Sequence, residues 1–178
     1  SWLGYVAADI AGGPDRAVGA MGVLTAMLHE RFLAGGTPVA LVSMDNCAGN
    51  GKLLRESVLT MARAWKSGGF VEQAFLNWLE REENVAFDST MIDKITPRPS
   101  EEIARDLENM GIADMQPVVT GKRTYIAPFA NAERPQYLVI EDRFPNGRPA
   151  LEKGFGVYMG DFETVRKSER MKVTVCLN

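Results

Sequence analysis

The sequence is poor in the residues that usually mark a metal protein or a disulfide-rich secreted domain. Its 178 residues include two cysteines, Cys47 and Cys176, and one histidine, His29. Two cysteines so far apart argue against a disulfide framework, and a reducing cytoplasm is the simpler expectation. No group of residues has the spacing of metal ligands, so no metal site is predicted. His29 lies beside Glu30 and Arg31 in a helical pattern, where we expect it to be solvated.

Strong charge and long apolar runs are lacking as well. The net charge of -3 gives no electrostatic reason to expect nucleic acid or an anionic membrane as a partner. No apolar run reaches the roughly 18 residues that a membrane-spanning helix needs, and no charged-then-apolar leader opens the sequence. The sequence starts directly on apolar Trp2 and Leu3 and stops within the apolar run 171–178. We therefore expect a fragment of a longer protein.

The first half of the sequence carries the apolar spacing of alternating helices and strands. A helix is predicted over about Asp15 to Ala34, a strand over Pro38 to Met44, and a second helix over about Leu53 to Lys66. The strand is a short apolar run, which is typical of a parallel sheet covered on both faces. Further apolar residues mark a third helix: Val71, Phe75, Trp78 and Leu79. Helix, buried strand and helix form half of a doubly wound α/β unit.

After Asn84 the pattern changes to extended segments. Ser100 followed by Glu101 and Glu102 predicts the start of a short helix, because a serine N-cap and acids in the first turn stabilise one. Strand-like segments are predicted over 118–120, 123–128 and 136–144, and a helical pattern begins at about Glu163. The second half is thus expected to add strands and one more helix to the α/β unit.

The polar turn after the predicted first strand is the main candidate site, because α/β proteins place their chemistry beyond the carboxyl ends of strands. It offers Asp45, Asn46 and Asn50. It is no phosphate loop, since Asn46 stands where that loop needs a glycine and Leu53 where it needs a hydroxyl. An asparagine can orient a sugar hydroxyl or polarise a carbonyl without changing charge. The alternative is that Asp45 or Asn46 only closes the strand and caps the next helix.

Five segments, in this order, resemble the motifs of one enzyme family. They are VSMDNCAGNGKLLRESV at 42–58, FDSTMIDKITPRPS at 87–100, YLVIEDRFPNGRPALEKGFGVYM at 137–159, ERMK at 169–172 and CLN at 176–178. The family is that of the polyol-specific long-chain dehydrogenases, which includes mannitol dehydrogenase and fructuronate reductase. Each motif alone has low specificity for the family, whereas the five motifs in this order are specific for it.

The resemblance implies a metal-independent oxidoreductase that transfers a hydride between NAD(P) and a polyol or sugar acid. It implies an α/β fold, a partial Rossmann-like domain with additional β-strands that is truncated at both ends. Residues 1–86 would be the second half of the dinucleotide-binding domain, and residues 87–178 the strands that lead into an interdomain catalytic helix. The family's glycine-rich phosphate loop would lie upstream and a helical C-terminal domain downstream. The isolated chain is therefore expected to bind NAD poorly and to be inactive.

The resemblance also assigns roles to single residues. Lys172 would be the general base, which must act in its neutral form, a form that burial favours. Asn46 and Asn178 would donate hydrogen bonds to the reacting oxygen. Asp93 would bind substrate, and Glu169 would take part in passing the proton to solvent. Here Lys172 and Asn178 are six residues apart, one more than is usual in the family.

Further roles follow for neighbours of these residues. Asn46 and Ile92 would contact the cofactor. Glu141 and Asp142 would tie their strand to its neighbours, and Cys47 and Cys176 would be small packed residues. The segment 77–89 would follow a surface insertion.

Two alternatives stay open on the sequence alone. One is a non-enzymatic sugar-binding or interaction module on a Rossmann-like scaffold. The other is an unrelated small α/β enzyme that uses Asp45 or Asp93 as nucleophile or acid, which would require the two carboxylates to share a cleft.

Overall fold

The computed structural model describes residues 2–94, 98–132 and 136–176, with residues 2, 3, 5, 94 and 173–176 as backbone alone. The chain divides into two compact units, one of residues Ser1–Ile92 with Leu138–Asn178 and one of residues Asp93–Tyr137. The boundary predicted between residues 86 and 87 separates functional parts of one fold, which is a different division from that into compact units. It stays a prediction.

The first unit opens with three helices and one strand before it reaches the candidate turn. Helix α1 is Trp2–Gly12, a one-turn 3-10 helix is Pro14–Arg16, α2 is Ala20–Leu33 and strand β1 is Val39–Val42. After the turn come α3 (Asn50–Ser67), α4 (Gln73–Glu80) and strand β2 (Val85–Asp88). The turn therefore joins the carboxyl end of β1 to the amino end of α3.

Strands β1 and β2 are parallel, as the sequence pattern predicts. Val39 lies opposite Val85, and Val42 lies opposite Asp88. Because the strands run in the same direction, both carboxyl ends lie at one edge of the sheet. The side chains of β1 are half-buried, whereas those of β2 are fully buried. Strand β1 is therefore less completely covered than the sequence predicts.

The core of the first unit lies where α3 and α4 meet β2. Trp65 and Phe75 are fully buried, and the indole nitrogen of Trp65 donates to the carbonyl of Asp9 at 2.8 Å. The remaining buried apolar side chains of this core include Val58, Leu59, Ala62, Leu76, Leu79, Val85 and Phe87. This core fixes the position of α3, which follows the candidate turn, and of β2, the strand that pairs with β1.

Two features of the first 34 residues differ from the prediction. Helix α1 was not predicted, and α2 begins at Ala20 instead of Asp15. Pro14 starts a separate 3-10 turn, and the buried Asp9 carboxylate accepts hydrogen bonds from the amides of Val18 and Gly19 at 2.9 Å each. These bonds satisfy backbone donors just before α2, so the chain makes a turn there and not a longer helix.

The rest of the first unit contains most of a second sheet and a final helix. Strands β3 (Thr90–Lys94), β6 (Gln136–Glu141) and β7 (Val157–Gly160) form a three-stranded sheet in the order β3, β6, β7, with β6 and β7 parallel. A 3-10 turn at Ala150–Lys153 precedes β7, and helix α6 spans Phe162–Cys176. No helix in the described part of the chain is both long and apolar enough to cross a bilayer.

The second unit is a helix and a two-stranded hairpin. Helix α5 is Glu101–Asn109, and strands β4 (Val118–Val119) and β5 (Tyr125–Ile126) pair antiparallel. The predicted cap of α5 is confirmed, since the Ser100 hydroxyl accepts from the amide of Glu102 at 3.2 Å. The strands are shorter than predicted because a turn closes at Arg123, whose amide donates to the carbonyl of Thr120 at 2.9 Å.

Candidate active site

Helix α6 brings a lysine onto the turn that follows β1. The Lys172 amine donates to Asn46 Oδ1 at 2.8 Å, although 126 residues separate the two in sequence. The same amine donates to the backbone carbonyl of Ile92 at 3.3 Å. One side chain therefore links α6 to the turn after β1 and to Ile92 of β3. These are three of the residues for which the sequence predicts a catalytic or cofactor role.

Glu169 makes a second contact between α6 and the same turn. Its Oε1 accepts a hydrogen bond from the amide of Gly49 at 3.0 Å. Gly49 is the N-cap residue of the 18-residue helix α3, where a carboxylate is stabilised by the unpaired amides and by the helix dipole. Glu169 and Lys172 are three residues apart on a helix, so they share a face, and both reach the turn.

The side chains at the tip of the turn are exposed. Asp45 accepts the amide of Asn46 at 2.7 Å, and neither residue caps α3, whose N-cap makes no side-chain hydrogen bond. The alternative prediction that Asp45 or Asn46 caps the helix after the turn is therefore wrong. Cys47 is exposed and not packed, which corrects the sequence expectation. Partial desolvation and then the Asp45 carboxylate raise the pKa of the Cys47 thiol.

Beneath the tip, Asn50 joins the turn to the start of β3. Its side chain is 1 % exposed. Its Nδ2 lies 2.7 Å from the Asp45 carbonyl and 3.0 Å from Thr90 Oγ1, and its Oδ1 accepts the Thr90 amide at 2.9 Å. The Ser43 carbonyl, 3.3 Å from Nδ2, also faces this amide. The sequence places Asn50 in the turn but gives no sign that it reaches a second strand.

Gly51 allows this close approach. A Cβ built on Gly51 would lie 2.7 Å from the Phe87 carbonyl and 2.8 Å from the Ser89 amide, both backbone atoms. Any side chain larger than hydrogen would push the first turn of α3 away from the corner between β2 and β3. The Asn-Gly pair in the sequence therefore has a physical explanation. Its asparagine bonds the corner, and its glycine makes room for it.

A second buried polar cluster lies at the same corner. Glu141 is 4 % exposed and accepts the amide of Ser89 at 3.0 Å, while its other oxygen pairs with Arg143 Nε at 2.8 Å. Arg143 also donates to the Phe87 carbonyl at 2.8 Å and pairs with Glu82 at 3.0 Å. Glu141 ties β6 to the segment between β2 and β3, as the sequence predicts.

Asp88 is the unusual member of this cluster. It is fully buried, and neither carboxyl oxygen has a hydrogen-bond partner among the described residues. Arg143 Nε lies 3.6 Å from Oδ1, which is within ion-pair range but too long for a hydrogen bond. Burial raises the pKa of Asp88 to about 7, with Arg143 opposing the shift and Glu141 adding to it. No pattern in the sequence singles out Asp88 or Arg143.

Four more of the predicted residues are Asp93, Asp142, Cys176 and Asn178. Asp93 is the first residue of the second unit and follows Ile92 directly. Asp142 forms an ion pair with Arg148, and its backbone amide donates to the carbonyl of Gly160 in the neighbouring strand β7 at 2.8 Å, as the sequence predicts. Asn178 and the side chain of Cys176 lie outside the described residues.

His29 is half-buried and not solvated, which corrects the expectation for the single histidine. Its ring meets the Phe75 ring edge-on at a centroid distance of 4.9 Å. This interaction places His29 at the border of the core, where an edge-to-face aromatic pair is favourable. It has no part in the contacts around the turn.

Comparison with known protein families decides where this arrangement belongs. The family model of the mannitol dehydrogenase Rossmann domain matches residues 10–153. The chain belongs to the mannitol dehydrogenase family. The resemblance and the Rossmann-type fold predicted from the sequence are thereby confirmed, and the alternative of an unrelated α/β enzyme is excluded.

Two curated members of the mannitol dehydrogenase family give the scale of the similarity. D-mannonate oxidoreductase of Thermotoga maritima is 52 % identical over 171 residues, which cover 96 % of this chain and 31 % of that protein. Mannitol 2-dehydrogenase of Pyrenophora tritici-repentis is 36 % identical over 170 residues, which cover 94 % and 26 %. The chain thus spans less than a third of the length of these relatives.

Two solved structures share the fold of this chain. A D-sorbitol dehydrogenase in substrate-free form superposes with a TM-score of 0.65 at 33 % identity, covering 90 % of this chain and 29 % of that one. Mannitol 2-dehydrogenase of Pseudomonas fluorescens, in a ternary complex with NAD and D-mannitol, gives a TM-score of 0.65 at 26 % identity, covering 92 % and 29 %.

Proposed function

We propose that this chain is part of a metal-independent oxidoreductase that transfers a hydride between NAD(P) and a polyol or sugar acid. Lys172 acts as its general base. The observation that carries the proposal is the 2.8 Å contact between the Lys172 amine and Asn46 Oδ1. The sequence assigned catalytic roles to both residues from motifs more than a hundred residues apart, and a chance resemblance gives no reason for them to meet.

The surroundings of Lys172 suit a base. The acceptors that face its amine include Asn46 Oδ1 and the Ile92 carbonyl. A neutral amine carries two N–H donors and one lone pair, so acceptors that engage the N–H groups also orient the lone pair. In oxidation Lys172 would take the proton of the substrate hydroxyl, and in reduction it would return that proton.

Asn46 complements this role. Because its Oδ1 accepts from Lys172, its Nδ2 is the end that can donate to the reacting oxygen. A neutral donor stabilises the negative charge that develops on that oxygen without competing for the proton. We assign Asn178 the matching donor role, Asp93 a substrate hydrogen bond, and Glu169 the passage of the proton to solvent. Each of these three assignments rests on the family resemblance.

The residues present fit a nicotinamide cofactor. β1 and β2 are parallel with their carboxyl ends side by side, and the exposed amide of Asn46 follows β1. Ligands of open α/β sheets bind beyond such ends. Asn46 and Ile92 are the residues that would contact the cofactor, whose chemistry is to accept or supply the hydride. The mannitol 2-dehydrogenase with which this chain superposes was solved with NAD.

The substrate is proposed to be a small polyol or sugar acid, and we place the sugar acid first. The relative named D-mannonate oxidoreductase is 52 % identical, whereas the mannitol 2-dehydrogenase of Pyrenophora tritici-repentis is 36 % identical. The whole enzyme would therefore interconvert a mannonate-type hydroxy acid and the corresponding keto acid.

The test is Lys172→Met in the full-length protein, with Lys167→Met as the matched control on the exposed part of the same helix. Loss of the base should lower kcat by about 10³-fold, within the usual range for general acid–base catalysis, while NAD binding is retained. The control should keep wild-type kcat. Rates are followed as NADH or NADPH absorbance with mannonate and mannitol as substrates.

Two results would overturn the proposal. One is wild-type turnover in the Lys172→Met protein. The other is a full-length protein that binds the sugar but turns over neither substrate with either cofactor, which would favour the non-enzymatic sugar-binding module.

A further inference from the structure

We propose that Asn50 is a positioning residue for Lys172, because it fixes the two strand ends whose acceptors hold the lysine amine. The inference deepens the proposed function and rests on Lys172 as the base. Asn50 itself would touch neither substrate nor cofactor. It would set the distance between Asn46 and the Ile92 carbonyl.

The hydrogen bonds of Asn50 reach both strand ends at once. On the β1 side, Nδ2 lies 2.7 Å from the Asp45 carbonyl and 3.3 Å from the Ser43 carbonyl. On the β3 side, Thr90 supplies its hydroxyl at 3.0 Å and its carbonyl at 3.2 Å to Nδ2, and its amide at 2.9 Å to Oδ1. The Thr90 hydroxyl also donates to the Ser43 carbonyl. The two strand ends are thus bonded through one side chain.

The acceptors of Lys172 follow directly from these anchored residues. Asn46 comes one residue after Asp45, and Ile92 comes two residues after Thr90. With so few intervening bonds, a shift at either anchor moves the corresponding acceptor by a similar amount. The Lys172 amine contacts both acceptors, so its own position depends on their separation.

An amide is the group that this place requires. Three carbonyl oxygens and a hydroxyl face Nδ2, and one amide N–H faces Oδ1, so the residue must donate on one side and accept on the other. A carboxylate of the same size would keep the bond to the Thr90 amide and place a charged oxygen against the carbonyls. That change is small in volume and large in polarity, which makes it a sharp test.

The experiment compares Asn50→Asp with the wild-type full-length protein. We expect kcat to fall by about 100-fold, the size of effect that roughly 1 Å of misplacement can produce, with a smaller change in KM. The pH dependence of kcat should also be displaced, because the amine acts from an altered environment. A second readout is the rate at which an amine-reactive acylating reagent modifies Lys172, measured by peptide mass spectrometry without substrate or cofactor.

Asp9→Asn is the matched control for loss of stability alone. Asp9 is also 1 % exposed and also bonds backbone amides, those of Val18 and Gly19, which have no contact with Lys172. We expect it to lower the unfolding midpoint while leaving kcat, its pH profile and Lys172 labelling as in the wild type. If Asn50→Asp does not fold, Thr90→Val removes one partner of Asn50 and should give a smaller change in the same readouts.

The proposal is overturned if the Asn50 or Thr90 variant keeps the wild-type pH profile and the wild-type labelling rate of Lys172. It is likewise overturned if Asp9→Asn changes these readouts as much, since the effect would then belong to stability. Failure of the proposed function is a separate result. It is seen as turnover by Lys172→Met, whereas labelling of Lys172 reports its position whatever reaction the enzyme performs.

Discussion

Two buried polar junctions lie at neighbouring strand ends, and they are built in opposite ways. Asn50 is neutral, and its amide is hydrogen-bonded on both sides. Asp88 is ionisable, fully buried and without a hydrogen-bond partner among the residues described. The first junction borders the candidate active site, because Asn50 bonds the carbonyl of Asp45, the residue before Asn46. The second joins β2 to Arg143 and Glu141.

The difference shows that neighbouring strand ends can differ in how they respond to pH. A neutral amide keeps its hydrogen bonds at any physiological pH, so the geometry that it sets is constant. A buried carboxyl group responds to pH because its charged form is poorly solvated. The geometry of the residues that hold the proposed base is therefore expected to stay constant with pH. The stability of the domain is expected to change with pH.

The largest expected effect comes from Asp88→Asn. The pKa of Asp88 is raised in the folded protein from 3.8 to about 7, so the folded state holds this proton more tightly than the unfolded state. The contribution of this proton to stability is fully present at pH values below the pKa of the unfolded state. It declines by about 1.4 kcal/mol per pH unit between the two pKa values and is lost at pH values above the pKa of the folded state. Asparagine mimics the protonated form, so the variant should be more stable by up to about 4 kcal/mol near pH 8.

Urea unfolding near pH 5 and near pH 8 measures this effect, with the fluorescence of the buried Trp65 as the probe. The wild type should lose stability between the two conditions, and Asp88→Asn should lose much less. Equal slopes in the two proteins would show that Asp88 is ionised throughout and that the contrast between the junctions is false.

A smaller effect is expected from Arg143→Met. This change removes the partner of the buried Glu141 and the nearest cation to Asp88. Breaking a fully buried pair costs about 3 to 5 kcal/mol, and the Arg143 side chain is 36 % exposed, so we expect about 2 kcal/mol near pH 8. The loss should shrink near pH 5, where Asp88 is protonated. A loss that is the same at both pH values would contradict the assignment of Asp88 as the titrating group.

The smallest effect tests the tight corner at Gly51. Adding a Cβ in Gly51→Ala brings it against the backbone of Phe87 and Ser89, so the variant should lose about 1 to 2 kcal/mol. Gly4→Ala is the control, since Gly4 is exposed in α1 with nothing within 4 Å of the added atom. It should gain about 0.5 to 1 kcal/mol from helix propensity. Opposite signs in unfolding midpoints are the expected outcome, and a gain at both positions would show that the corner can relax.

Local patterns in the sequence predicted much of the fold. The apolar spacing around Trp65 gave α3, the short apolar run gave a parallel β1, and Ser100 gave the start of α5. Each of these depends on neighbours along the chain. Helix α1 and the delayed start of α2 escaped prediction, because the latter depends on Asp9 reaching the amides of Val18 and Gly19.

The candidate site likewise contains residues that the sequence predicts and residues that it does not. The ordered motifs pointed to Lys172, Glu169, Asn46 and Ile92. In the structure Lys172 contacts both Asn46 and Ile92, and Glu169 reaches the turn of Asn46 at Gly49. Their roles stay predictions. Asn50 stands out in the sequence only as a polar residue of the turn, and Asp88 and Arg143 do not stand out at all. Their importance arises from partners about 40 to 55 residues away, such as Thr90 for Asn50 and Arg143 for Asp88, which no local pattern encodes.

The contact between α6 and the turn also bears on how variants of this protein should be screened. The core around Trp65 and Phe75 makes no use of Lys172 or Glu169, which reach the turn from its exposed side. Substitutions at these two positions should therefore leave expression level and solubility nearly unchanged. A selection that scores only how much protein accumulates in cells would pass them as harmless, and a growth selection that depends on the sugar substrate would be needed to find them.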